Sequence, residues 1–372
     1  MTADLTISDY SFAHVQVDER TIGDAQTHIY ETDELDYLYL ELETEAGITG
    51  TGIDLMELRA PGKPSVTTLR RRVEDMVDRL TGEHVLGLLN RQTRHRGGVF
   101  TYESESSYGA GVQTALDLAL WDAAAKAAGQ PLYRYLGAER ESVPVYASGL
   151  SFVNDDAETR RIYESFTELG EFSAAKVKVG HDSLDADIDR ITLVDDVFGG
   201  LEHVLIDPNE SWSPTETTRR LRAFEDVGFD INWVEDPVFR HDTAGMARLV
   251  SETPGTHVTV GEYVGFEAKR DLLAAGACDI LNVQGISSGR RAATLAQAWA
   301  TPVACSTDHA TDVTGVHLGC ALPDITYVEC CYHRLFDRCG APFTVEDGQA
   351  VPTDRPGHGI EVPETLIEGQ NP

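Results

Sequence analysis

Two lysines stand two residues apart in FSAAKVKVGH, Phe172 to His181, in a chain that holds only five: Lys63, Lys126, Lys176, Lys178 and Lys269. The other 25 of its 30 basic residues are arginine. Asp207, Glu235 and Glu262 follow Lys178 at intervals of 29, 28 and 27 residues. An interval of that length accommodates one strand and one helix, so each carboxylate falls at the end of a successive strand. Side chains alternate along a strand, which puts Lys176 and Lys178 on one face and Val177 on the other. An ammonium pair in an interior is costly unless something there needs cationic donors. Three carboxylates brought to one place cannot all stay ionised without a cation. A hard divalent ion with oxygen ligands, Mg²⁺ first among them, meets that need and leaves positions for substrate or water oxygens. Any one of these acids alone could be a solvated loop residue, and the two lysines could merely neutralise the acids. The regular spacing beside two rare lysines argues instead for chemistry.

The elements that must position these residues are legible as eight short β-rich runs. They are VPVYASGL, AAKVKVG, HVLIDPNES, INWVEDPV, HVTVGEYVG, CDILNVQG, PVACSTD and ITYVECC, each expected to be followed by a helical stretch. Continuous apolar strands alternating with helices predict a parallel (β/α)8 barrel. A doubly wound open sheet is the alternative, but no GxGxxG follows the first strand, so a dinucleotide site has no support. Barrel chemistry sits at the C-terminal ends of strands. Those ends also carry Asn209, Gln284, the group Ser306, Asp308 and His309, and Glu329. Residues 1–135 read as an α+β capping unit. A hairpin is expected over Tyr37–Asp54 and helices over 65–81, 83–93 and 111–128, the last closed by Gly129 and Pro131. Residues 136–342 form the barrel, and the loop-rich tail 343–372 is expected to pack back on the capping unit and complete it.

Composition narrows the function. The chain has 372 residues, 41% of them hydrophobic, and 62 acidic against 30 basic side chains, a net charge of −32. Nucleic-acid and anionic-membrane partners need a basic face and are excluded on that ground. No apolar run approaches a membrane span, and MTADLTISDY lacks the basic and apolar regions of a signal peptide, so a cytoplasmic location is expected. Acidity spread along the chain with so little lysine suggests adaptation to concentrated salt, where a short Debye length screens self-repulsion. The six cysteines, Cys278, Cys305, Cys320, Cys330, Cys331 and Cys339, form no CxxC pair and read as buried thiols.

KVKVG, LIDPNES, WVEDP and VGE in this order resemble the enolase superfamily, in its mandelate racemase/muconate lactonizing branch. ALDLALWDAAAKAAGQPLYRYLG resembles that branch's link from capping domain to barrel, and the similarity spans nearly the whole chain. The resemblance implies one Mg²⁺ held by Asp207, Glu235 and Glu262, and a carboxylate substrate chelating it while a base removes the α-proton. Lys178 would be the base, its pKa brought down toward about 7–8 by neighbouring cations and burial. Lys176 with the metal would stabilise the enediolate. Arginine cannot give up its proton at working pH, so a base here must be lysine. Where the racemase-like group has Asp and the lactonizing group has Lys after the sixth strand, this chain has Gln284, which disfavours a lysine-dependent cycloisomerase. His309 is a candidate second acid/base, oriented by Asp308 or Asp312, and Glu329 matches an acid that hydrogen-bonds the enediolate. Asn209, Gln284, Ser306 and Asp308 are candidate substrate contacts. The cap loops Glu19–Thr27 and Asp54–Pro64, with Arg59, Lys63 and Tyr108, would set substrate choice. A dehydration needs only one base and one acid, so a hydro-lyase acting on a sugar acid is the first expectation. A racemase or epimerase using Lys178 and His309 is the second, and a catalytically silent barrel protein the third. The resemblance also implies a homo-oligomer.

Overall fold

The computed structural model describes residues 3–25, 28–55, 65–92, 110–149, 155–180, 183–262, 264–306, 312–331 and 342–368. The N-terminal unit is an antiparallel sheet of β1 (Ile7–Ala25), β2 (His28–Thr44) and β3 (Thr49–Leu55), followed by α1 (Val66–Val77), α2 (Val85–Gln92) and α3 (Ala110–Ala127). The expected hairpin is β2–β3, paired from Tyr37↔Leu55 to Glu43↔Thr49. The sequence reading passed over β1, which runs antiparallel to β2 from Ile7↔Thr44 to Ala25↔His28. A register shift between Ile7 and Asp9 changes its parity: Ile7, Tyr10 and Phe12 pack on the cap core, while Ala13 and Val15 are buried on the other face, paired with Tyr39 and Tyr37.

α3 is rich in Ala and Leu on every side, the composition of a helix buried all round. Leu116, Ala119, Leu120 and Ala123 face the cap core, while Leu118 and Ala125 pack with Leu132 and Leu136 of the link to the barrel and with Ile286 of the barrel itself. β3 lies against it without side chains in between. A Cβ on Gly52 would sit 1.8 Å from Ala115 O, and one on Gly50 2.2 Å from Ala119 O. The contact to the barrel is polar as well: Asp117 accepts from Ser287 N and Oγ, and Trp121 Nε1 donates to Ser287 Oγ.

A short α4 (Leu132–Tyr135) leads to eight parallel strands: β4 (Val143–Ser148), β5 (Ala174–Lys178), β6 (His203–Asp207), β7 (Ile231–Glu235), β8 (His257–Val260), β9 (Ile280–Val283), β10 (Val303–Cys305) and β11 (Ile325–Cys331). All eight predicted runs are strands, and β11 pairs back with β4 to close the barrel. The helices between them are α5 (Asp156–Leu169), α6 (Leu184–Phe198), α7 (Pro214–Asp226), α8 (Thr243–Glu252), α9 (Phe266–Ala274), α10 (Ile286–Gln297) and α11 (Asp312–Ala321). Asp155, Ser183, Ser213 and Asp242 cap four of them by accepting from the first turn's backbone.

The tail divides its contacts. β12 (Phe343–Glu346) and β13 (Gln349–Pro352) form a hairpin whose β13 pairs antiparallel with β4 of the barrel, where the sequence reading sends this segment to the cap. Further on, His358 reaches the cap through Thr51 and Asp122, and α12 (Glu364–Glu368) follows. The five described cysteines are all buried free thiols. No helix among the described residues is long and apolar enough to cross a membrane.

Candidate active site

The barrel interior is built in two tiers, set by alternation along each strand. Tyr146, Ala174, Leu205, Trp233, Ile280, Ala304 and, partly buried, Tyr327 form an apolar cluster across the bore. Trp233 stacks edge-on to both Tyr146 and Tyr327. Two residues further along each strand stand Ser148, Lys176, Asp207, Glu235, Asn282, Ser306 and Glu329, all buried. The residues between, Ala147, Ala175, Ile206, Val234, Leu281, Cys305 and Val328, belong to the core shared with the helices. Seven strands thus repeat one pattern: apolar inward, apolar outward, polar inward. The aromatic plug beneath excludes water from the polar tier and raises the stakes of every charge in it.

Lys176 is enclosed by acids, with Nζ 2.9 Å from Glu235 Oε2, 2.7 Å from Glu329 Oε1 and 3.7 Å from Asp207 Oδ2. Its Nζ also lies 5.5 Å from the Tyr146 ring centroid. Burial pulls this ammonium down, but Glu235 and Glu329 more than offset it, and it is held well above the ordinary lysine range. Lys178, 10% exposed, pairs with Asp207 and reaches Asn209 Oδ1 at 2.5 Å. Asn209 has φ +41° and its N–H donates to Asp207 Oδ1. Asn209, Glu210 and Asp236 all hold left-handed backbone, and Glu210 N donates to Asp236 O at 2.7 Å. The turns after β6 and β7 are therefore one unit, braced by Arg240, which bonds Asp236 and takes Glu210 on its backbone N–H.

The carboxylates respond differently to this crowding. Burial would raise Asp207, but Lys178 and Lys176 bring it below its ordinary range. Glu329 is likewise lowered, with Lys176 outweighing burial. Burial pushes Glu235 up to about 8, Lys176 opposing and Asp207 and Glu329 adding to the shift. Glu262, directly after β8, is held well above the carboxylate range by burial and by the charge of Glu235.

Among the described residues, no three His, Cys, Asp or Glu side chains stand ready-made around a metal. Asp207 is turned to Lys178 and Glu235 to Lys176. The donor set still suits a hard divalent cation. Asp207, Glu235 and Glu262 are buried oxygen donors on three successive strand ends, and two of them are too crowded to ionise freely. A dication relieves that crowding, so these three residues could hold one. Two further buried oxygens in the same tier, Thr259 Oγ1 and Ser306 Oγ, have no partner within the protein.

The expected fall in the Lys178 pKa is not what this arrangement gives. Burial lowers it, but the Asp207 carboxylate beside it outweighs burial and the net shift is upward. Asp207's charge is directed at the ammonium. Directed instead at a dication, it would leave Lys178 with burial and the like charge of Lys176, both of which lower its pKa.

Of the predicted site residues, Lys176, Lys178, Asp207, Asn209, Glu235 and Glu329 are joined by direct contacts, and Ser306 shares their tier. Glu262 is adjacent by its electrostatic coupling to Glu235, Lys176 and Lys178. Gln284 follows β9, with its backbone carbonyl accepting from Ser288 Oγ. Asp308 and His309 lie outside the described residues, as do Arg59, Lys63 and Tyr108. The sequence reading missed Asn282, whose Nδ2 donates to Glu235 Oε1 at 2.9 Å. Strand parity could have found it, two residues after Ile280 on the bore-facing side of β9.

Fold and site define a barrel enzyme class, and comparison with known proteins assigns the family. Residues 158–366 match "Enolase C-terminal domain-like", and residues 13–137 match "Mandelate racemase / muconate lactonizing enzyme, N-terminal domain". The chain belongs to the enolase superfamily, in its mandelate racemase/muconate lactonizing branch. It is 31% identical over 265 residues to the 3,6-anhydro-alpha-L-galactonate cycloisomerase of Streptomyces coelicolor, covering 70% of this chain and 72% of that one. To the L-talarate/galactarate dehydratase of Salmonella typhimurium it is 26% identical, over 89% of this chain and 81% of the other. Among solved structures, a mandelate racemase-type protein from Mesorhizobium loti superposes with TM-score 0.85 at 32% identity, covering 99% of this chain and 95% of that one. Relatives named as epimerases are also found, and neighbouring structures in the superfamily were crystallised with magnesium.

Proposed function

We propose that this protein removes the proton α to a carboxylate, with Asp207, Glu235 and Glu262 holding one Mg²⁺ per subunit, and completes a dehydration of a sugar acid or similar hydroxy acid. What carries the reading is the contrast between the two lysines. Lys176 is 2% exposed and fixed by Glu235 and Glu329, the setting of a permanent charge. Lys178 is at the end of β5, partly exposed, with Asn209 beside it, the setting of a group that meets substrate.

When bound, Mg²⁺ supplies positive charge to the substrate carboxylate as it becomes electron-rich. Lys176 Nζ, held as an ammonium, adds a fixed cationic donor on the same side. Lys178 Nζ takes the α-proton and can return it to a departing hydroxyl on the same face, so one residue serves as base and acid. Glu329 keeps Lys176 in place and is itself held ionised by it. Ser306 and Thr259 offer buried hydroxyls for substrate or water oxygens. The same reading separates a capping unit, 1–135, from the barrel, 136–342. It places the enzyme as a homo-oligomer in a salt-rich cytoplasm, with no nucleic-acid or membrane partner.

A racemase or epimerase using Lys178 and His309 is the second reading, favoured by the relatives named as epimerases. Relatives named as cycloisomerases require that a product of unchanged mass also be registered. Incubation with Mg²⁺, a panel of sugar acids and N-acyl or dipeptide carboxylates in D2O, followed by mass spectrometry and NMR, tests all three. Loss of water establishes the dehydratase. Gain of one deuterium without loss of water overturns it, and the NMR spectrum then separates an epimer from a ring-opened or ring-closed isomer.

A further inference from the structure

We infer that Lys269 is a positioning residue for the carboxylate site: its ammonium clamps the ends of β8 and β9 together and thereby aims Glu262 and Asn282. The inference rests on the proposed metal role of Glu262. Thr259 faces the bore, and Val258 and Val260 belong to the helix-facing core. Continued as an extended strand, this alternation would send Glu262 outward with them. It does not go there, for Glu262 is buried with Glu235, Lys176 and Lys178 as its electrostatic neighbours.

Gly261 makes the change of direction. Its φ is +139°, and a Cβ there would lie 2.5 Å from Asn282 O and 3.0 Å from Asn282 N, so the two backbones are in contact. Pairing of β8 with β9 ends at Val260↔Leu281. The next carbonyl on each strand, Gly261 O and Asn282 O, accepts from Lys269 Nζ, the second at 3.0 Å. Lys269 comes from α9 and is 8% exposed. One strand end so held leads into Glu262, and the other carries the amide that bonds Glu235.

The choice of lysine follows. A compact ammonium with three donors can enter between two carbonyls at this distance, whereas the planar guanidinium fork is larger and directs its donors in one plane. The adjacent Arg270, on the exposed side, pairs with Asp271 instead.

The test compares Lys269→Met, Lys269→Arg and Gly261→Ala with the wild type. Thermal unfolding is measured without metal, Mg²⁺ affinity by calorimetry, and kcat and KM on any substrate found. The expected result is retained folding, Mg²⁺ binding weakened about 10- to 100-fold in each variant, no rescue by arginine, and kcat lowered more than KM is raised. Wild-type Mg²⁺ affinity in Lys269→Met or Gly261→Ala overturns the inference. If one variant fails to fold, the other decides. A wild type that binds no Mg²⁺ sinks the metal reading, and the clamp is then judged by hydrogen exchange alone. Faster exchange confined to residues 261–262 and 282–284 in Lys269→Met supports it; unchanged exchange there overturns it.

Discussion

Lysine and arginine are not interchangeable in this molecule, and the four described lysines show why. Lys176 and Lys178 sit among carboxylates, Lys269 bridges two carbonyls, and Lys126 joins Asp122 to Thr49 O. Each is a point charge fitted between close acceptors. At Lys178 the distinction is chemical as well, since a guanidinium keeps its proton. Lys178→Arg should therefore lower kcat by about 10²- to 10⁴-fold, the usual contribution of a positioned base. Mg²⁺ should still bind, as calorimetry on the same sample would show. Turnover within a few-fold of wild type would remove Lys178 from the reaction.

Among the elements, α3 and α11 tie cap, barrel and tail together. Gly52 in β3 meets the backbone of α3 with no room for a methyl group. Gly52→Ala should destabilise the protein by about 1–3 kcal/mol through overpacking. Gly87→Ala, on an open face of α2 with no neighbour within 4 Å, should stabilise it by about 0.5–1 kcal/mol. Urea unfolding of the two variants would show whether opposite signs are found. On α11, His317 Nε2 donates to His358 O while Nδ1 accepts from Tyr133 N–H, which fixes a neutral tautomer. Burial depresses its pKa to about 4, with the His358 carbonyl opposing. The unfolded chain binds this proton below about 6.5, so stability is complete above that pH and is lost as pH falls toward 4. The shift corresponds to about 3 kcal/mol. His317→Gln should remove that part of the wild-type acid sensitivity between pH 6.5 and 4, measured as the difference between the two denaturation series.

For the whole molecule the governing quantity is charge. At −32, self-repulsion opposes the compact state, and the Debye length shrinks from about 10 Å at 0.1 M salt to about 3 Å at 1 M. The melting temperature should rise between 0.1 and 2 M KCl. A flat response would detach the acidic composition from salt adaptation. The buried acids of the active site are a separate matter, since burial and the neighbouring lysines rather than surface repulsion set their protonation, and bulk salt screens them little.

The sequence by itself determined the eight barrel strands and the inward-facing polar residues near their ends. A period of two on short strands leaves little choice of which side chains face the bore, and seven strands carry the same apolar-to-polar step. Lys176, Lys178, Asp207, Glu235 and Glu329 were legible for that reason, as was the cap hairpin from its turn glycine. Only the tertiary structure decided the rest. Glu262 departs from the alternation because Gly261 turns the chain, and the partner that holds the turn, Lys269, arrives from a helix. Parity alone put Asn282 on the bore-facing side, but its bond to Glu235, two strands away, came only with the closed barrel. The upward shift of Lys178 depends on where the Asp207 carboxylate points, a rotamer that no spacing encodes. The hairpin of β12 and β13 lay against β4 because an antiparallel pairing was available there, a fact that belongs to the folded barrel and not to the local residues.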